Sequence, residues 1–436
     1  MNTLVVNGGK LLRGKIKPQG AKNEAFQVLA ACLLTEEDVE IKNIPDIVDI
    51  RHLFEIFDLL GVYMKKMAKG HYIFNAKNVN YKTISNLDFI EKFGRLRGSL
   101  MITGALLARF GYANLPEPGG DKIGIRPITT HIQGFIDIGA DYDINEKTLR
   151  LEKIVSQRIT LREASVTGTA NLILSSVLEK KKPHKIEIYN AAAEPYIQQL
   201  IKMLQTMGAE INGAGTNLVV IHSVKKLMGT SHILLPDMIE IGAFIAMAVA
   251  VGDGILIEKA KKEHLGKIAF DTFTDLGVTI VPRQAGLYIP RHEHFEIRRA
   301  DDRTKRVRTI HDDTWPKLSP DHLSSIISMA IHAKGILTVR QRMFDRRLLF
   351  CDVLNSMGAN IIMSHHQEVT VVGNDREYEL TGIEMSSPDI RAGMALLIAA
   401  LTAKGKSKIH NAGQIHRGYE SIVRRLNNLG ADITEI

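Results

Sequence analysis

A helix-ending motif, an apolar residue followed by glycine and then alanine or valine, recurs six times along this 436-residue chain. Its glycines lie roughly 70 residues apart, at Gly61, Gly139, Gly208, Gly277, Gly358 and Gly430. Glycine directly after a helix readily adopts the left-handed conformation that closes the last turn. The spacing therefore predicts six related structural units.

Each unit carries the same order of predicted elements. An amphipathic helix pattern such as IRHLFEIFDLL precedes the motif, and two short alternating runs such as VYMKKM and HYIFNA follow it. Earlier in each unit lies a helix of small apolar residues: AFQVLAACLL, GSLMITGALLA, TANLILSSVL, IGAFIAMAVAV, LSSIISMAIHA and AGMALLIAAL. The strands predicted after these helices read VEIKNIP, ANLPEP, KIEIYNA, GILIEKA, GILTVRQ and SKIHNAG. Small side chains let backbones approach closely, so we expect α/β architecture with buried helices inside sheets and outer helices.

Chain length and apolar content set the organisation and the compartment. Six units fit two bodies of three better than one, because single cores stop growing at about 250–300 residues, and the simplest boundary is Gly229–Asp237. The longest apolar run, Ile241–Gly252, is shorter than the roughly 20 residues that cross a bilayer. We therefore expect a cytoplasmic protein without membrane contact. Cys32 and Cys351 lie in apolar segments, which predicts buried thiols.

The formal net charge of +8 raises the question of nucleic acid. The densest basic run, Arg298–Arg308, contains aspartates and lacks aromatic residues, so a solvated loop is the better interpretation and no nucleic-acid partner is expected. A basic excess also suits an enzyme with anionic substrates. Phosphate-loop, dinucleotide, zinc-protease and serine-hydrolase motifs are absent, and we expect neither a cofactor nor a metal.

Polar and charged residues precede the small-residue helices. They are Lys22 and Asn23, Arg95 and Arg97, residues 165–169, Asp237 and Glu240, Asp321, and Asp389 and Arg391. Helix N-termini favour anions, so such an end predicts an anion site in a cleft between the two bodies. Asp237 and Ser165 also fit ordinary helix caps. Lys22 and Arg391 do not, because cations oppose the helix dipole.

Four motifs carry a resemblance to a known family. GAKN at Gly20, LARFG at Leu107, PGG-x-x-IG-x-RP-x-x-x-H over residues 118–131 and HRGYE at His416 resemble the UDP-N-acetylglucosamine enolpyruvyl transferase family. The resemblance runs the full length of the chain. It implies the first committed reaction of peptidoglycan synthesis.

The resemblance also implies the architecture. The family fold is a pair of inside-out α/β barrels of three units each. The first domain would span residues 22–235 and carry a mobile loop at residues 115–127. Residues 1–21 and 236–436 would form the second domain, with the active site in the interdomain cleft. The sequence leaves the oligomeric state open.

The implied reaction joins the 3-hydroxyl of UDP-N-acetylglucosamine to C2 of phosphoenolpyruvate and expels phosphate. The resemblance implies that phosphoenolpyruvate is bound by Lys22, Arg97, Arg126, Arg347 and Arg417. It implies that the sugar nucleotide is contacted by Asn23, Arg97, Arg126, Pro127, His131, Ser165, Val166, Thr167, Asp321 and Met343. The reaction needs cations for the anionic groups, an acid for the methylene carbon and a base for the sugar hydroxyl.

The resemblance assigns these catalytic roles as well. Asp321 matches the base for the sugar hydroxyl, Asp389 a second acid of the site, and Lys22 and Arg391 further catalytic groups. Asp121 stands where the family commonly has a cysteine, so we expect it to donate the proton from a closing lid. Fosfomycin alkylates that cysteine, and an aspartate there implies insensitivity to the antibiotic.

Three departures concern nucleotide recognition. Glu163, Met238 and Thr129 replace a lysine, an arginine and an aspartate that are common in the family. One alternative is transfer to another acceptor such as shikimate 3-phosphate, but the GNAGT sequence of that sister enzyme is missing. Another is a non-catalytic UDP-sugar-binding paralogue. Retention of the charged site residues favours the enzyme.

Overall fold

The computed structural model describes residues 2–121, 123–179, 184–301, 303 and 306–436. Lys122 of the predicted mobile loop lies outside them, as do Asp302, Thr304 and Lys305 of the predicted basic loop. The chain divides into two compact units. Unit 1 comprises Met1–Gln19, Asp121–Ile125 and Pro236–Ile436, and unit 2 comprises Gly20–Gly120 and Arg126–Leu235.

Helices occur throughout both units. In chain order they are α1 Lys22–Ala31, α2 Val48–Leu59, α3 Leu87–Gly94, α4 Leu100–Phe110, α5 Thr129–Asp137, α6 Val166–Ser176, α7 Pro195–Thr206, α8 Met238–Val251, α9 Lys262–Leu265, α10 Lys267–Asp275, α11 Pro320–Ala330, α12 Cys351–Ser356, α13 Ile390–Thr402, α14 Gly413–His416 and α15 Ile422–Asn427. Short 3-10 helices cover Cys32–Leu34, Tyr81–Ser85 and Arg97–Ser99.

The strands are short. They are β1 Leu4–Asn7, β2 Leu12–Ile16, β3 Val39–Lys42, β4 Tyr63–Ala68, β5 His71–Asn75, β6 Tyr112–Asn114, β7 Asp141–Asp143, β8 Thr148–Arg150, β9 Arg158–Thr160, β10 Lys185–Tyr189, β11 Glu210–Asn212, β12 Leu218–His222, β13 Thr230–Ile233, β14 Gly252–Glu258, β15 Val281–Arg283, β16 Gly286–Ile289, β17 Arg308–His311, β18 Ile336–Arg340, β19 Asn360–His365, β20 Glu368–Val372, β21 Glu384–Ser386, β22 Lys406–His410 and β23 Ile433–Glu435.

Unit 2 surrounds three buried helices with three sheets. Its sheets run in the orders β13-β3-β5-β4, β6-β8-β7 and β11-β12-β10-β9. Helix α4 packs against α1 and α6, and their small residues allow close approach. A Cβ on Gly104 would lie 2.5 Å from the carbonyl oxygen of Asn171, so glycine is required there. The apolar residues of this unit form one continuous core.

Unit 1 repeats the plan. Its sheets run in the orders β15-β16-β14-β2, β17-β18-β20-β19 and β21-β22-β1-β23. Strand β1 is antiparallel to both neighbours, with Leu4 opposite Ile409 on one side and Glu435 on the other. Helices α8, α11 and α13 pack together, and every residue of α8 is buried. The predicted α/β fold with buried helices and peripheral sheets is confirmed.

The six motif glycines adopt the predicted conformation. Their φ angles are 77° at Gly61, 108° at Gly139, 100° at Gly208, 85° at Gly277, 103° at Gly358 and 104° at Gly430. These values lie in the left-handed region, which residues with a Cβ rarely enter. The repeat is therefore confirmed as a set of helix terminations.

All six strands predicted after the small-residue helices end before their runs do, and the one after α4 is the shortest. The run ANLPEP was expected to form a strand, but β6 ends at Asn114. Pro116 and Pro118 follow, and proline has no N–H to donate to a sheet. The remainder of the run is therefore irregular backbone.

The sequence predicted that both cysteines are buried. Cys32 and Cys351 are both buried free thiols, as expected. Burial raises the pKa of each thiol well above its ordinary value, so neither is a reactive thiolate at neutral pH.

Within the described residues, no helix combines the length and apolar character needed to cross a membrane.

We expect His332 to make unit 1 sensitive to acid. Burial, with a smaller contribution from Arg376, lowers the pKa of His332 to about 3. In the unfolded chain, His332 takes up a proton below its ordinary pKa of about 6.5. In the folded chain, it stays neutral until the pH approaches about 3. The free energy of unfolding should therefore fall by about 1.4 kcal/mol per pH unit between these values because of this group.

Urea unfolding of the wild type and of His332→Leu at pH 7, 6 and 5 measures this contribution. Leucine cannot take up a proton, so the variant should lose less stability than the wild type as the pH falls. Parallel losses in the two proteins would show that His332 is not responsible.

Candidate functional site

Asp321 lies between two arginines in unit 1, in the first turn of α11. Arg347 Nη2 is 2.8 Å from its Oδ1, and Arg391 Nη2 is 3.1 Å from its Oδ2. Both guanidinium side chains are almost fully buried. Although burial opposes ionisation, the charges of Arg391 and Arg347 hold the pKa of Asp321 well below its ordinary value. Asp321 is therefore a carboxylate at neutral pH.

The start of α13 fixes Arg391 in this cluster. Asp389 caps the helix by accepting hydrogen bonds from the N–H groups of Arg391 at 2.8 Å and Ala392 at 3.1 Å. Burial raises the pKa of Asp389, and the charge of Arg347 opposes that rise. The guanidinium of Arg391 also donates to the hydroxyl of Tyr419 at 3.3 Å and lies over its ring. The structure thus brings the predicted residues Asp321, Asp389 and Arg391 together.

Arg347 retains hydrogen-bonding capacity. Its Nε and Nη1 atoms are buried and have no hydrogen-bond partner in the part of the chain that the structure describes. Because a guanidinium presents its donors in a fixed fork, these N–H groups suit an anionic ligand.

The loop that precedes Arg347 is held by the buried carboxylate of Asp312. Asp312 accepts from the backbone N–H groups of Arg342 at 2.5 Å and Met343 at 3.1 Å.

The second cluster of unit 1 pairs two predicted site residues. Arg417 Nη1 donates to Asp121 Oδ1 at 2.7 Å and to Gln414 Oε1 at 2.8 Å. The predicted mobile loop is held beside this pair, since Ile123 is 2% exposed and accepts at its carbonyl from the N–H of Arg346 at 3.2 Å. The predicted acid and the predicted phosphate ligand are therefore direct neighbours.

In unit 2, Lys22 begins α1 and is paired. Its ammonium lies 2.5 Å from Asp49 Oδ2, and the side chains are 10% and 2% exposed. Asn23 follows and is partly buried. Sequence reasoning missed Asp49. A signal was present, because Asp49 shares the buried stripe of α2 with Leu53 and Ile56, where an apolar residue is usual.

Arg97 binds the backbone at the far end of the predicted loop. Its guanidinium donates to the carbonyl oxygens of Arg126 at 2.8 Å and Pro127 at 3.2 Å. Burial, followed by the nearby charge of Arg126, lowers the pKa of Arg97 to about 10, so it stays protonated at neutral pH. Gly120 packs against the same residue, since a Cβ there would lie 3.1 Å from Arg97 Cβ. Arg97 thus contacts the predicted loop at Gly120 and at residues 126–127.

His131 orients the hydroxyl of Thr167. Asn171 receives the N–H of Gly104 at its Oδ1, so its amide nitrogen faces His131 Nδ1 at 3.0 Å. The opposite nitrogen, Nε2, therefore carries the proton and donates to Thr167 Oγ1 at 3.0 Å. Burial lowers the pKa of His131 to about 3, which keeps the ring neutral. Asn171 was not predicted.

The start of α6 places three more predicted residues together. Ser165 caps the helix by accepting the N–H of Gly168 at 3.1 Å, and Val166 and Thr167 form its first turn. All three side chains are partly exposed.

In unit 1, the predicted sugar-nucleotide contact Met343 is 43% exposed. Glu163 accepts from the hydroxyl of Thr130 at 3.1 Å, beside Thr129 at the start of α5, and Met238 is buried at the start of α8.

Comparisons with known proteins agree on one family. Residues 6–426 match the EPSP synthase (3-phosphoshikimate 1-carboxyvinyltransferase) family model. A Bacteroides fragilis protein named UDP-N-acetylglucosamine 1-carboxyvinyltransferase is 44% identical over 440 residues, and a Porphyromonas gingivalis protein of the same name is 45% identical. Each match covers 100% of both chains.

The enolpyruvyl transferase NikO from Streptomyces tendae shares the fold. It matches with a TM-score of 0.86 at 20% identity, over 100% of this chain and 98% of its own. The relatives with more than 40% identity extend the agreement from fold to sequence along the whole chain. The chain therefore belongs to the EPSP synthase family of enolpyruvyl transferases and, within it, to the UDP-N-acetylglucosamine 1-carboxyvinyltransferases.

Proposed function

We propose that the protein transfers the enolpyruvyl group of phosphoenolpyruvate to the 3-hydroxyl of UDP-N-acetylglucosamine and releases phosphate, the first committed step of peptidoglycan synthesis. In the addition step, the sugar hydroxyl loses its proton, its oxygen bonds to C2, and the methylene carbon gains a proton. In the elimination step, that carbon loses a proton and phosphate leaves C2 with the electrons of the C–O bond. The enol ether and inorganic phosphate are the products.

The observation that carries this proposal is the Asp321 carboxylate held between Arg391 and Arg347. A carboxylate that stays ionised at neutral pH is ready to accept the proton of the sugar hydroxyl. Its low pKa makes it a weak base while both arginines are bound to it. We propose that the anionic groups of phosphoenolpyruvate draw one guanidinium away, which makes Asp321 more basic once substrate is present.

We propose that Arg347 and Arg417 bind phosphoenolpyruvate in unit 1. Two N–H groups of Arg347 find no acceptor among the described residues, which supports its role, as does the position of Arg417 beside Asp121. Asp121 is proposed as the acid that protonates the methylene carbon. A phosphate oxygen bound by Arg417 would lie close to Asp121, because Nη1 of the same guanidinium donates to that carboxylate.

The proposal for unit 2 follows its contacts. Lys22 supplies positive charge for phosphoenolpyruvate, and Arg126 is presented by the loop that Arg97 holds. We propose that the sugar nucleotide contacts the first turn of α6, where His131 fixes the hydroxyl of Thr167. Further contacts are proposed for Asn23, Pro127, Ser165, Val166 and Met343.

Phosphate release tests the proposal. Purified full-length protein is incubated with phosphoenolpyruvate and either UDP-N-acetylglucosamine or shikimate 3-phosphate, and inorganic phosphate is measured. We expect release with the sugar nucleotide and none with shikimate 3-phosphate. Release with shikimate 3-phosphate alone would reassign the acceptor. Release with neither would contradict the proposal and favour a non-catalytic UDP-sugar-binding protein.

A further inference from the structure

The side-chain amide of Gln19 binds the backbone that follows Arg417. Its Nε2 donates to the carbonyl oxygen of Gly418 at 2.8 Å, and its Oε1 accepts from the N–H of Glu420 at 2.6 Å. Gln19 is 6% exposed; its hydrogen bond to Gly418 is buried and the one from Glu420 is partly buried. One buried side chain therefore fixes the backbone on either side of Tyr419.

Gln19 is itself held on both sides. Its N–H donates to Glu240 Oε2 at 2.6 Å, and its carbonyl oxygen accepts from the N–H of Asp237 at 2.9 Å. Glu240 is fully buried and pairs through its other oxygen with Arg425 Nη2 at 2.5 Å. Hydrogen bonds to Glu240 and Asp237 thus hold the backbone from which the side-chain amide of Gln19 extends.

The segment fixed by Gln19 contacts or adjoins two of the three arginines of the unit 1 site, Arg391 and Arg417. Gly418 packs so closely that a Cβ would lie 2.3 Å from Ile390 Cγ2, at the start of α13. Tyr419 accepts from Arg391 at 3.3 Å. Arg417 directly precedes this segment, and a displacement of about 1 Å in a binding group can lower catalysis by about 100-fold.

We propose that Gln19 is a positioning residue for Arg417 and, through Tyr419, for Arg391. Gln19 holds residues 418–420 so that the Arg417 guanidinium meets the phosphate of phosphoenolpyruvate in one orientation. This inference rests on the proposed function for the identity of the ligand. It assigns Gln19 no contact with either substrate.

Steady-state kinetics of the full-length Gln19→Leu and Gln19→Glu variants test the inference. Leucine removes both hydrogen bonds, and we expect the KM for phosphoenolpyruvate to rise about tenfold while the KM for UDP-N-acetylglucosamine stays within about twofold. Glutamate still accepts the N–H of Glu420 but cannot donate to Gly418, so its effect should be smaller. Arg417→Ala gives the effect of losing the cation itself.

Asn355→Leu is the matched control. The Asn355 amide makes the same pair of bonds to the backbone of Ile361, at 2.8 and 2.9 Å, within the same unit. We expect this variant to lower the melting temperature and leave both KM values unchanged. An unchanged KM in both Gln19 variants, or an equal rise in Asn355→Leu, would overturn the inference.

Calorimetric titration of phosphoenolpyruvate into the same proteins separates the inference from the proposed function. Wild-type turnover decides the function, whereas the ratio of dissociation constants between wild type and Gln19→Leu decides the role of Gln19. A ratio near ten supports positioning even in a protein that does not turn over. A ratio near one rejects it, whatever the acceptor.

Discussion

Asp321→Asn is expected to lower kcat by about 10²–10⁴-fold, the usual contribution of a general base. Asparagine keeps the shape of the side chain but cannot accept the proton of the sugar hydroxyl. Arg347 and Arg391 lose their anionic partner in this variant, so they stay available for phosphoenolpyruvate. Its dissociation constant, measured by calorimetry, should therefore not rise. The loss should appear in kcat alone.

Asp313→Asn is the control for this substitution. Asp313 lies eight positions earlier in the chain and pairs with exposed Lys317 at 2.6 Å, a contact that contributes little. Its kcat should match that of the wild type. If Asp321→Asn also turned over at a near-normal rate, the assignment of Asp321 as the base would be wrong.

Fosfomycin is expected to leave the wild-type enzyme active after prolonged incubation, whereas Asp121→Cys should be inactivated with time. A thiolate opens the epoxide by forming a C–S bond, and the ring oxygen takes a proton; a carboxylate is a much poorer nucleophile. The native thiols offer no alternative target, because burial raises the pKa of Cys32 and Cys351. Asp121→Ala should lose about 10²–10⁴-fold in kcat, since the proposed proton donor to the methylene carbon is removed.

Asp345→Cys controls for the position of the new thiol. Asp345 is exposed and lies close to Gly124 of the same loop segment, whose added Cβ would lie 3.4 Å from Asp345 Cβ. This variant should stay active and resist fosfomycin. Full activity in Asp121→Ala, or covalent inactivation of the wild type, would refute the role of Asp121.

The repeat made the fold predictable. Six glycines at helix ends and six helices of small residues are local signals, and local signals are legible in sequence. The strand ANLPEP was overestimated because its prolines were not weighed against its apolar residues. Pairing between distant strands, such as β1 with β22, had no local signal.

The sequence yields a prediction for the charged residues of the candidate site but none for the partners that hold them. The family resemblance named Lys22, Arg97 and Asp321, but a motif gives no contact distances. Asp49 contacts Lys22, and Gln19 contacts residues 418–420. These partners are distant in sequence, so the spacing of residues along the chain could not reveal the contacts. Arg97 was expected to bind substrate, and its position on the loop backbone became visible only in three dimensions.

The place of β1 between β22 and β23 sets an order of events during synthesis. Residues 4–7 leave the ribosome early, yet their partners at residues 406–409 follow about 400 codons later. At about 5–20 residues per second, that interval is about 20–80 s. Unit 2, at residues 20–235, emerges within it and can fold first. Strand β1 therefore cannot pair until residues 406–409 and 433–435 have been synthesised, so the sheet that contains it forms late.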